Sequence, residues 1–210
     1  MKKFLCMLLA MLTLLLLTAC GNSSGTAGNT QASAAEKQDA AAPAADAAGK
    51  SKTLVVYFSC TGNTKALAEN AAKALQADVF AIQPEQPYTQ NDLNYNDKST
   101  RATVEQNDLN ARPKIANKVK AIEKYDTIVV AYPIWWGQEP RIMDTFMESY
   151  DFSGKTLAAI CTSASSDIGS SDAALAGITG SSAKWKEGHR FTADTSADEL
   201  GAWFKKIGVE

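Results

Sequence analysis

The sequence predicts an α/β protein whose parallel sheet is covered by helices on both faces. Runs of apolar, often β-branched residues alternate along the chain with stretches of helical periodicity, which is the pattern typical of such sheets. The runs are apolar at successive positions, as expected of strands that are buried on both sides. Three of the runs end in loops rich in hydroxyl or aromatic side chains. In a parallel sheet these loops lie at the carboxyl edge, where ligands bind.

The first 19 residues have the composition of a secretory signal peptide. A basic start at Lys2 and Lys3 precedes an apolar stretch that is too short and wrongly flanked for a lasting transmembrane helix. The following Leu17-Thr18-Ala19-Cys20 resembles a bacterial lipobox, in which Cys20 is acylated. The alternative is an ordinary signal with an incidental cysteine. With the lipid, we expect a protein tethered to the outer face of a bacterial membrane without spanning it.

Residues 20–51 are predicted to be a flexible linker. They include no aromatic or β-branched aliphatic residue and cannot bury enough surface to fold. Residues 52–210 are predicted to form one domain, long enough for a full core. Without Lys2 and Lys3, 19 basic residues stand against 23 acidic ones, a balance of −4 with histidine neutral. This charge does not suggest a nucleic-acid partner.

The first strand is predicted at residues 53–59, and a helix follows from about Asn63 to Leu75. The loop between them is Ser59-Cys60-Thr61-Gly62-Asn63-Thr64. A helix start offers unpaired N–H groups and the positive end of the helix dipole, which suit an anion. Hydroxyl and amide side chains add donors, and Gly62 permits a positive φ or a close approach. Capping alone needs one such residue, so this loop favours phosphate binding.

The same loop argues against other phosphate chemistries. It lacks the Gly-Lys-Ser/Thr ending of a nucleoside-triphosphate loop and the three glycines of a dinucleotide fold. A cysteine phosphatase would need an arginine a few residues after Cys60, and none is there. We interpret Cys60 as a small filler. Cys161 is the other cysteine of the domain, and two free thiols are favoured over a disulfide between them.

The rest of the domain continues the alternation. The strands are recognised by short β-branched runs, and the helices by apolar residues at helical spacing, as with Ile115, Val119 and Ile122. In order, we predict a strand at 78–82, a polar insert with helical character around 92–107, a crossover helix at 114–124, a strand at 127–132, a helix at 141–150 with Ile142, Met143, Phe146 and Met147 inward, a strand at 155–160, a weak helix at 171–175, a short strand at 185–191 and a closing helix at 197–207 that buries Leu200, Trp203, Phe204 and Ile207.

Two further loops should meet the first one at the sheet edge. Residues 132–140 carry Trp135 and Trp136, and residues 161–171 are small and polar. Together the three loops describe a site for a flat, phosphorylated aromatic ligand. The alternative for the tryptophans is core packing under the loop.

From residue 53 to 210 the chain resembles the flavodoxin-like family, specifically its lipid-anchored, secreted bacterial group. The first loop is similar to the family's FMN-phosphate loop, and four further segments resemble signatures of that group. They are Tyr125-Asp126, Tyr132-Pro133-Ile134-Trp135-Trp136-Gly137, Tyr150-Asp151-Phe152-Ser153-Gly154-Lys155 and Cys161-Thr162-Ser163. The resemblance implies a three-layer sandwich around a five-stranded parallel sheet of order 2-1-3-4-5, with FMN at its carboxyl edge.

The resemblance also implies a set of cofactor contacts. Ser59, Thr61, Gly62, Asn63 and Thr64 would hold the phosphate; Pro133, Ile134, Trp135, Trp136 and Gly137 would flank the isoalloxazine; Thr162, Ser163, Ser165 and Gly169 would line its pyrimidine end. The third loop has no aromatic residue, so one flavin face is expected to be open or covered by the insert. Relatives tend to carry glycine where this chain has Ala164, Ser166 and Asp167.

The implied function is electron transfer by bound FMN, with no catalytic side chain and no metal. Neutral phosphate donors and an apolar tryptophan wall predict a low flavin potential, which Asp167 would lower further. His189 is expected at the surface or a strand end. The partner is an unidentified redox protein or small electron acceptor. An FMN-dependent NAD(P)H:quinone-type oxidoreductase is the alternative, and a solute-binding or adhesion module without flavin is an alternative of another class.

Overall fold

A computed structural model of the chain describes residues 52–209. The predicted signal peptide, Cys20 and linker therefore lie outside the described residues. Within residues 52–209 no helix is long and apolar enough to cross a membrane. The strands are β1 (Thr53–Tyr57), β2 (Asp78–Ala81), β3 (Thr127–Pro133), β4 (Thr156–Thr162), β5 (Lys184–Trp185) and β6 (His189–Phe191). The helices are α1 (Asn63–Leu75), α2 (Arg101–Asn107), α3 (Arg141–Glu148), α4 (Ser171–Thr179) and α5 (Ala197–Lys206), with 3₁₀ turns at Asn91–Leu93 and Ile122–Lys124.

The strands form one parallel sheet in the order β2-β1-β3-β4, with β5 and β6 sharing the fifth position beside β4. The predicted order 2-1-3-4-5 is confirmed. The amino ends of the central strands are level, because Thr53 pairs with Thr127 and Thr127 with Thr156. Their carboxyl ends consequently reach the same edge of the sheet.

Helices cover both faces, as predicted. Successive residues of β1 point to opposite sides, so Leu54 and Val56 join the core under α3 and α4, whereas Val55 joins the core under α1 and α5. These side chains are buried almost completely, and full burial of each contributes about 1.5–3 kcal/mol to stability. The predicted inward residues of α3 are all buried, as are Leu200 and Phe204 of α5, while Trp203 and Ile207 are partly buried.

The predicted crossover helix at 114–124 is wrong. Ile115 instead forms an antiparallel bridge with Pro84, and the Asn117 side chain donates to the Ala81 carbonyl at 2.8 Å. The Val119 N–H donates to the Tyr150 hydroxyl at 2.8 Å, so partners outside the segment take the groups that a helix would pair internally. The three apolar residues still pack against the core, but Ile115 and Val119 do so from an irregular segment and Ile122 from the 3₁₀ turn that follows it. The helix between β2 and β3 is α2.

The predicted last strand at 185–191 is interrupted by a bulge. Leu157 pairs with Trp185 and Ile160 with His189, so two residues of β4 face the three residues 186–188. Gly188 packs closely here, because a Cβ would lie 2.6 Å from Ile168 Cδ1 and 2.8 Å from Asp172 Oδ2, and these side-chain ends would have to move to admit it. Its N–H donates to Asp172 Oδ2 at 3.3 Å, which joins the bulge to the start of α4.

Candidate functional site

The loops that follow β1, β3 and β4 meet at the carboxyl edge of the sheet. The Ile134 N–H donates to the Thr162 carbonyl at 2.8 Å, and the Thr64 and Thr162 hydroxyls share a buried hydrogen bond of 2.7 Å. A cleft of about 750 Å³ opens between the loops. This volume falls in the range of roughly 300–1,000 Å³ common for small-molecule sites.

Most of the predicted site residues line this cleft. They are Ser59, Thr61, Asn63, Thr64, Pro133, Ile134, Trp135, Thr162 and Ser163. Gly62, Trp136, Gly137, Ser165 and Gly169 do not line it. Their proposed roles toward a cofactor stay predictions. Sequence reasoning missed a second group that lines the cleft, made of Cys60, Gln90, Leu93, Asn94, Tyr95, Ala164, Arg190, Phe191, Thr192 and Ala193.

The start of α1 has the features of an anion site. Gly62 precedes the helix with φ 91°, and its N–H donates to Ser59 Oγ at 3.2 Å. No side chain caps α1 and no acidic residue lies in its first turn. The described helices α2, α3 and α4 also start without a side-chain cap, whereas α5 is capped by Ser196. The start of α1 differs from theirs because its first residues, Asn63 and Thr64, line the cleft. The N–H groups and positive dipole end of α1 are therefore left for an anion in the cleft.

The two tryptophans of the second loop have different environments. Trp135 is 5% exposed and packs edge-on against Phe58 and Tyr88, at ring distances of 5.5 and 5.2 Å. It belongs to the core and forms part of the cleft wall. Trp136 has φ 51° and is 49% exposed, and its Nε1 donates to Thr103 Oγ1 at 3.2 Å. The tryptophans therefore do not form one continuous wall.

The insert between β2 and α2 supplies another side of the cleft. Tyr95 is 47% exposed, lies 5.3 Å from the Trp136 ring and lines the cleft with Gln90, Leu93 and Asn94. The sequence signal was weak, because Tyr95 is a lone aromatic residue in a polar run. The expectation that the insert covers one face of a ligand stays a prediction.

The cysteines of the domain are free thiols, as favoured from the sequence. Cys60 lines the cleft, but burial raises the pKa of its thiol to about 12. Burial likewise raises the pKa of Cys161 to about 12. Both are therefore protonated near neutral pH, and neither has the low-pKa thiolate that nucleophilic catalysis requires.

The architecture and the site lead to a comparison with known proteins. A family model described as flavodoxin matches residues 52–207. The chain belongs to the flavodoxin family. Two Bacteroides crystal structures, each assigned as a flavoprotein, resemble it. The one from B. eggerthii is 42% identical with a TM-score of 0.73 and covers 77% of this chain and 100% of its own. The one from B. uniformis is 38% identical with a TM-score of 0.70 and covers 75% of this chain and 99% of its own.

A more distant structural neighbour is a flavoprotein from Lactobacillus acidophilus, whose crystal structure is in complex with FMN. It is 18% identical with a TM-score of 0.58, covers 73% of this chain and 99% of its own, and shares the fold. No curated protein matches the chain.

In this flavodoxin-family protein the second loop leads into a buried ionic cluster. Arg141 Nη1 lies 3.3 Å from Glu139 Oε1 and 3.3 Å from Asp144 Oδ2, and all three residues are at most 4% exposed. Gln106 of α2 donates to the Glu139 carbonyl at 2.7 Å. The cluster thereby joins the end of the second loop to α2 and α3.

The cluster holds two carboxyl groups against one buried guanidinium. Burial raises the pKa of Glu139 to about 7, and the neighbouring Asp144 carboxyl adds to the effect. Burial also raises the pKa of Asp144, although Arg141 and Arg112 oppose it. Glu139 Oε2 and Asp144 Oδ1 are buried without a hydrogen-bond partner. A hydrogen bond between the two carboxyls contributes to the raised pKa of Glu139 and opposes the rise at Asp144. It requires a proton on one of them, and the raised pKa of Glu139 assigns that proton to Glu139.

This cluster predicts that stability falls as the pH rises. The folded protein holds a proton on Glu139 up to about pH 7, whereas the unfolded chain releases it near the ordinary value of 4.5. Between these limits the native state binds more protons, so the free energy of unfolding should decline by roughly 1–3 kcal/mol. Glu139→Gln, which mimics the protonated acid, should flatten that decline in urea titrations at pH 5, 6, 7 and 8.

The exposed Glu187 provides the control, since Glu187→Gln should keep the wild-type pH dependence. Parallel curves for Glu139→Gln and the wild type would contradict the shared proton.

Proposed function

We propose that this protein binds FMN in the cleft at the carboxyl edge of the sheet and acts as an electron carrier. The observation that carries the proposal is the uncapped start of α1, which opens into a cleft built from three strand-end loops. Membership of the flavodoxin family supports the same ligand, as does the FMN complex of the Lactobacillus relative.

The donor set suits the two ends of FMN. A phosphate at α1 would receive hydrogen bonds from backbone N–H groups and from the side chains of Ser59, Thr61, Asn63 and Thr64. An apolar ring system would pack beside Pro133, Ile134 and Trp135, with Thr162 and Ser163 supplying polar contacts. Gly62, Trp136, Gly137, Ser165 and Gly169 would act through the shape of the loops.

When bound, FMN supplies the redox chemistry, and the protein binds and orients it and limits its contact with water. The described residues that line the cleft include no histidine, aspartate, glutamate or lysine, which are the usual side chains of acid–base catalysis. Cys60 is protonated, and His189 lies exposed in β6, packed on Phe191 and Trp203. These features favour a carrier over a reductase with its own turnover.

We also propose that a lipid on Cys20 holds the domain at the outer face of a bacterial membrane. The signal-like start and the lipobox-like Leu17-Thr18-Ala19-Cys20 support this placement. The domain begins next to β1, at the amino edge of the sheet, and the cleft is at the opposite edge. A tether that joins the domain there leaves the cleft open to a soluble redox partner.

The phosphate site is tested by a single charge at the start of α1. Asn63 is exposed and lines the cleft, and Asn63→Asp places a carboxylate where the phosphate should bind. We expect FMN to bind at least about tenfold more weakly through repulsion, while riboflavin, which has no phosphate, binds within about threefold of wild type. Quenching of flavin fluorescence gives both dissociation constants.

Asn110→Asp is the matched control, because Asn110 is an exposed asparagine outside the cleft and its change should leave both constants unaltered. The apo stability of Asn63→Asp should be equal or higher, since an acid in the first helical turn contributes about 0.3–1 kcal/mol. A colourless wild-type protein that leaves FMN fluorescence unquenched would instead favour a binding module without flavin.

The carrier role predicts little turnover of small substrates. With FMN bound, oxidation of reduced nicotinamide in the presence of a quinone should stay within about threefold of the rate with free FMN, because no described side chain in the cleft assists proton transfer. Stopped-flow absorbance at the nicotinamide band provides the rate. Saturable, protein-dependent turnover would establish the oxidoreductase alternative.

The lipid tether predicts that Cys20→Ser abolishes acylation. The full chain expressed in a bacterium with a labelled fatty acid should be labelled and sediment with membranes, and Cys20→Ser should lose the label. Cys6→Ser is the control, because Cys6 lies in the segment that cleavage would remove. A label that survives Cys20→Ser would rule out this anchor.

A further inference from the structure

Arg190 lies in the cleft and binds the third loop. Its Nε donates to Ser163 Oγ at 3.1 Å, and its Nη2 donates to the Ser163 carbonyl at 3.0 Å and to that of Ala164 at 3.4 Å. The Ser163 hydroxyl in turn donates to the Ser166 carbonyl. One guanidinium therefore fixes the start of the loop that borders the cleft.

The bulge before β6 determines where Arg190 points. Leu157 pairs with Trp185, and an uninterrupted register would place His189 opposite Cys161 and Arg190 opposite Thr162. The extra residue in 186–188 moves Arg190 back to Cys161. A shift of one residue moves a side chain to the opposite face of the sheet. The bulge therefore places the Arg190 side chain on the same face of the sheet as that of Cys161.

The charge of Arg190 is not neutralised by an ion pair in the described part of the chain. No carboxylate among residues 52–209 lies within salt-bridge distance of it, and the oxygens that it contacts are two carbonyls and a hydroxyl. Asp172, on the neighbouring α4, accepts from the Gly188 and Ala173 N–H groups instead. Asp167 is exposed and forms no ion pair with Arg190.

We propose that Arg190 favours the reduced, anionic state of the flavin, besides holding the third loop. The inference rests on the proposed binding of FMN. Two electrons from a redox partner protein, or from dithionite in a titration, and one proton from water convert the neutral oxidised flavin ring to a reduced form with one added negative charge. A half-buried, unpaired guanidinium lining the same cleft stabilises that charge more than it stabilises the neutral ring. The sequence alone, in which only neutral phosphate donors and an apolar wall were identified, predicted the opposite, namely a low flavin potential.

Three variants separate charge from positioning. Arg190→Gln and Arg190→Met remove the charge, and Gln keeps an N–H donor for the third loop. Arg190→Lys keeps the charge without the planar fork of donors. Lys184→Gln is the matched control, because it removes one exposed positive charge from β5, which lies beside β4 at the end of that strand away from the cleft. Thermal unfolding of each apoprotein identifies the variants that fold.

The readout is the ratio of affinities for reduced and oxidised FMN. Fluorescence quenching gives the dissociation constant of oxidised FMN. Titration with dithionite gives the reduction potentials of bound and of free FMN, and their difference gives the ratio of the two affinities. We expect Arg190→Gln and Arg190→Met to lower the ratio by at least about tenfold, which is a shift of about −30 mV for a two-electron couple. Arg190→Lys and Lys184→Gln should stay within about threefold of the wild type.

Two results would overturn the charge role. One is a neutral variant that folds, binds FMN and keeps the wild-type ratio. The other is an Arg190→Lys ratio as low as that of Arg190→Gln, which would leave Arg190 a positioning residue only. Wild-type protein that binds no FMN would be a failure of the proposed function itself, which these measurements distinguish because they begin with the wild-type dissociation constant.

Discussion

Parallel pairing of the strands is the constraint on which the rest of this structure depends. Level registers between β1, β3 and β4 bring their carboxyl ends to one edge, where the backbone groups need new partners. Backbone groups of one loop form hydrogen bonds with those of the next, as when the Ile134 N–H donates to the Thr162 carbonyl. Thr64 and Thr162 are 98 residues apart in sequence and share a buried hydrogen bond for the same reason. The cleft is therefore built from segments that the sheet holds in place.

Two different interactions fix the second loop, which are aromatic packing at its start and ion pairs at its end. Trp135 packs against Phe58 and Tyr88, so the cleft wall is continuous with the hydrophobic core. The end of the same loop is held by Glu139 and Arg141 in the ionic cluster with Asp144. Such a cluster costs desolvation energy, so it is poor evidence for stability and better evidence for a fixed loop geometry. A wall positioned in advance lowers the ordering cost of binding a flat ligand.

The charges of the cleft differ from the charge of the protein. The chain is acidic overall, with a formal net charge of −2, yet the cleft contains the positive end of the α1 dipole and the guanidinium of Arg190. Both are positive, and neither has an acidic partner in the described residues. A local field of this sign suits an anionic ligand, since interactions in a partly buried cleft are screened less than those at the open surface.

The sequence by itself determined the elements whose signal is local. Periodicity predicted the central strands, α1, α3 and α5, because each of these signals lies in adjacent residues. The polar residues of the first loop also indicated a site for an anion, which stays a prediction. Partners distant in sequence decided the non-helical path of residues 114–121, the bulge at Gly188 and the separation of Trp135 from Trp136. Arg190 shows the reason most clearly. Its position in the cleft depends on a one-residue bulge, for which Gly188 is the only local signal, and on a loop 27 residues away that leaves no pattern around Arg190.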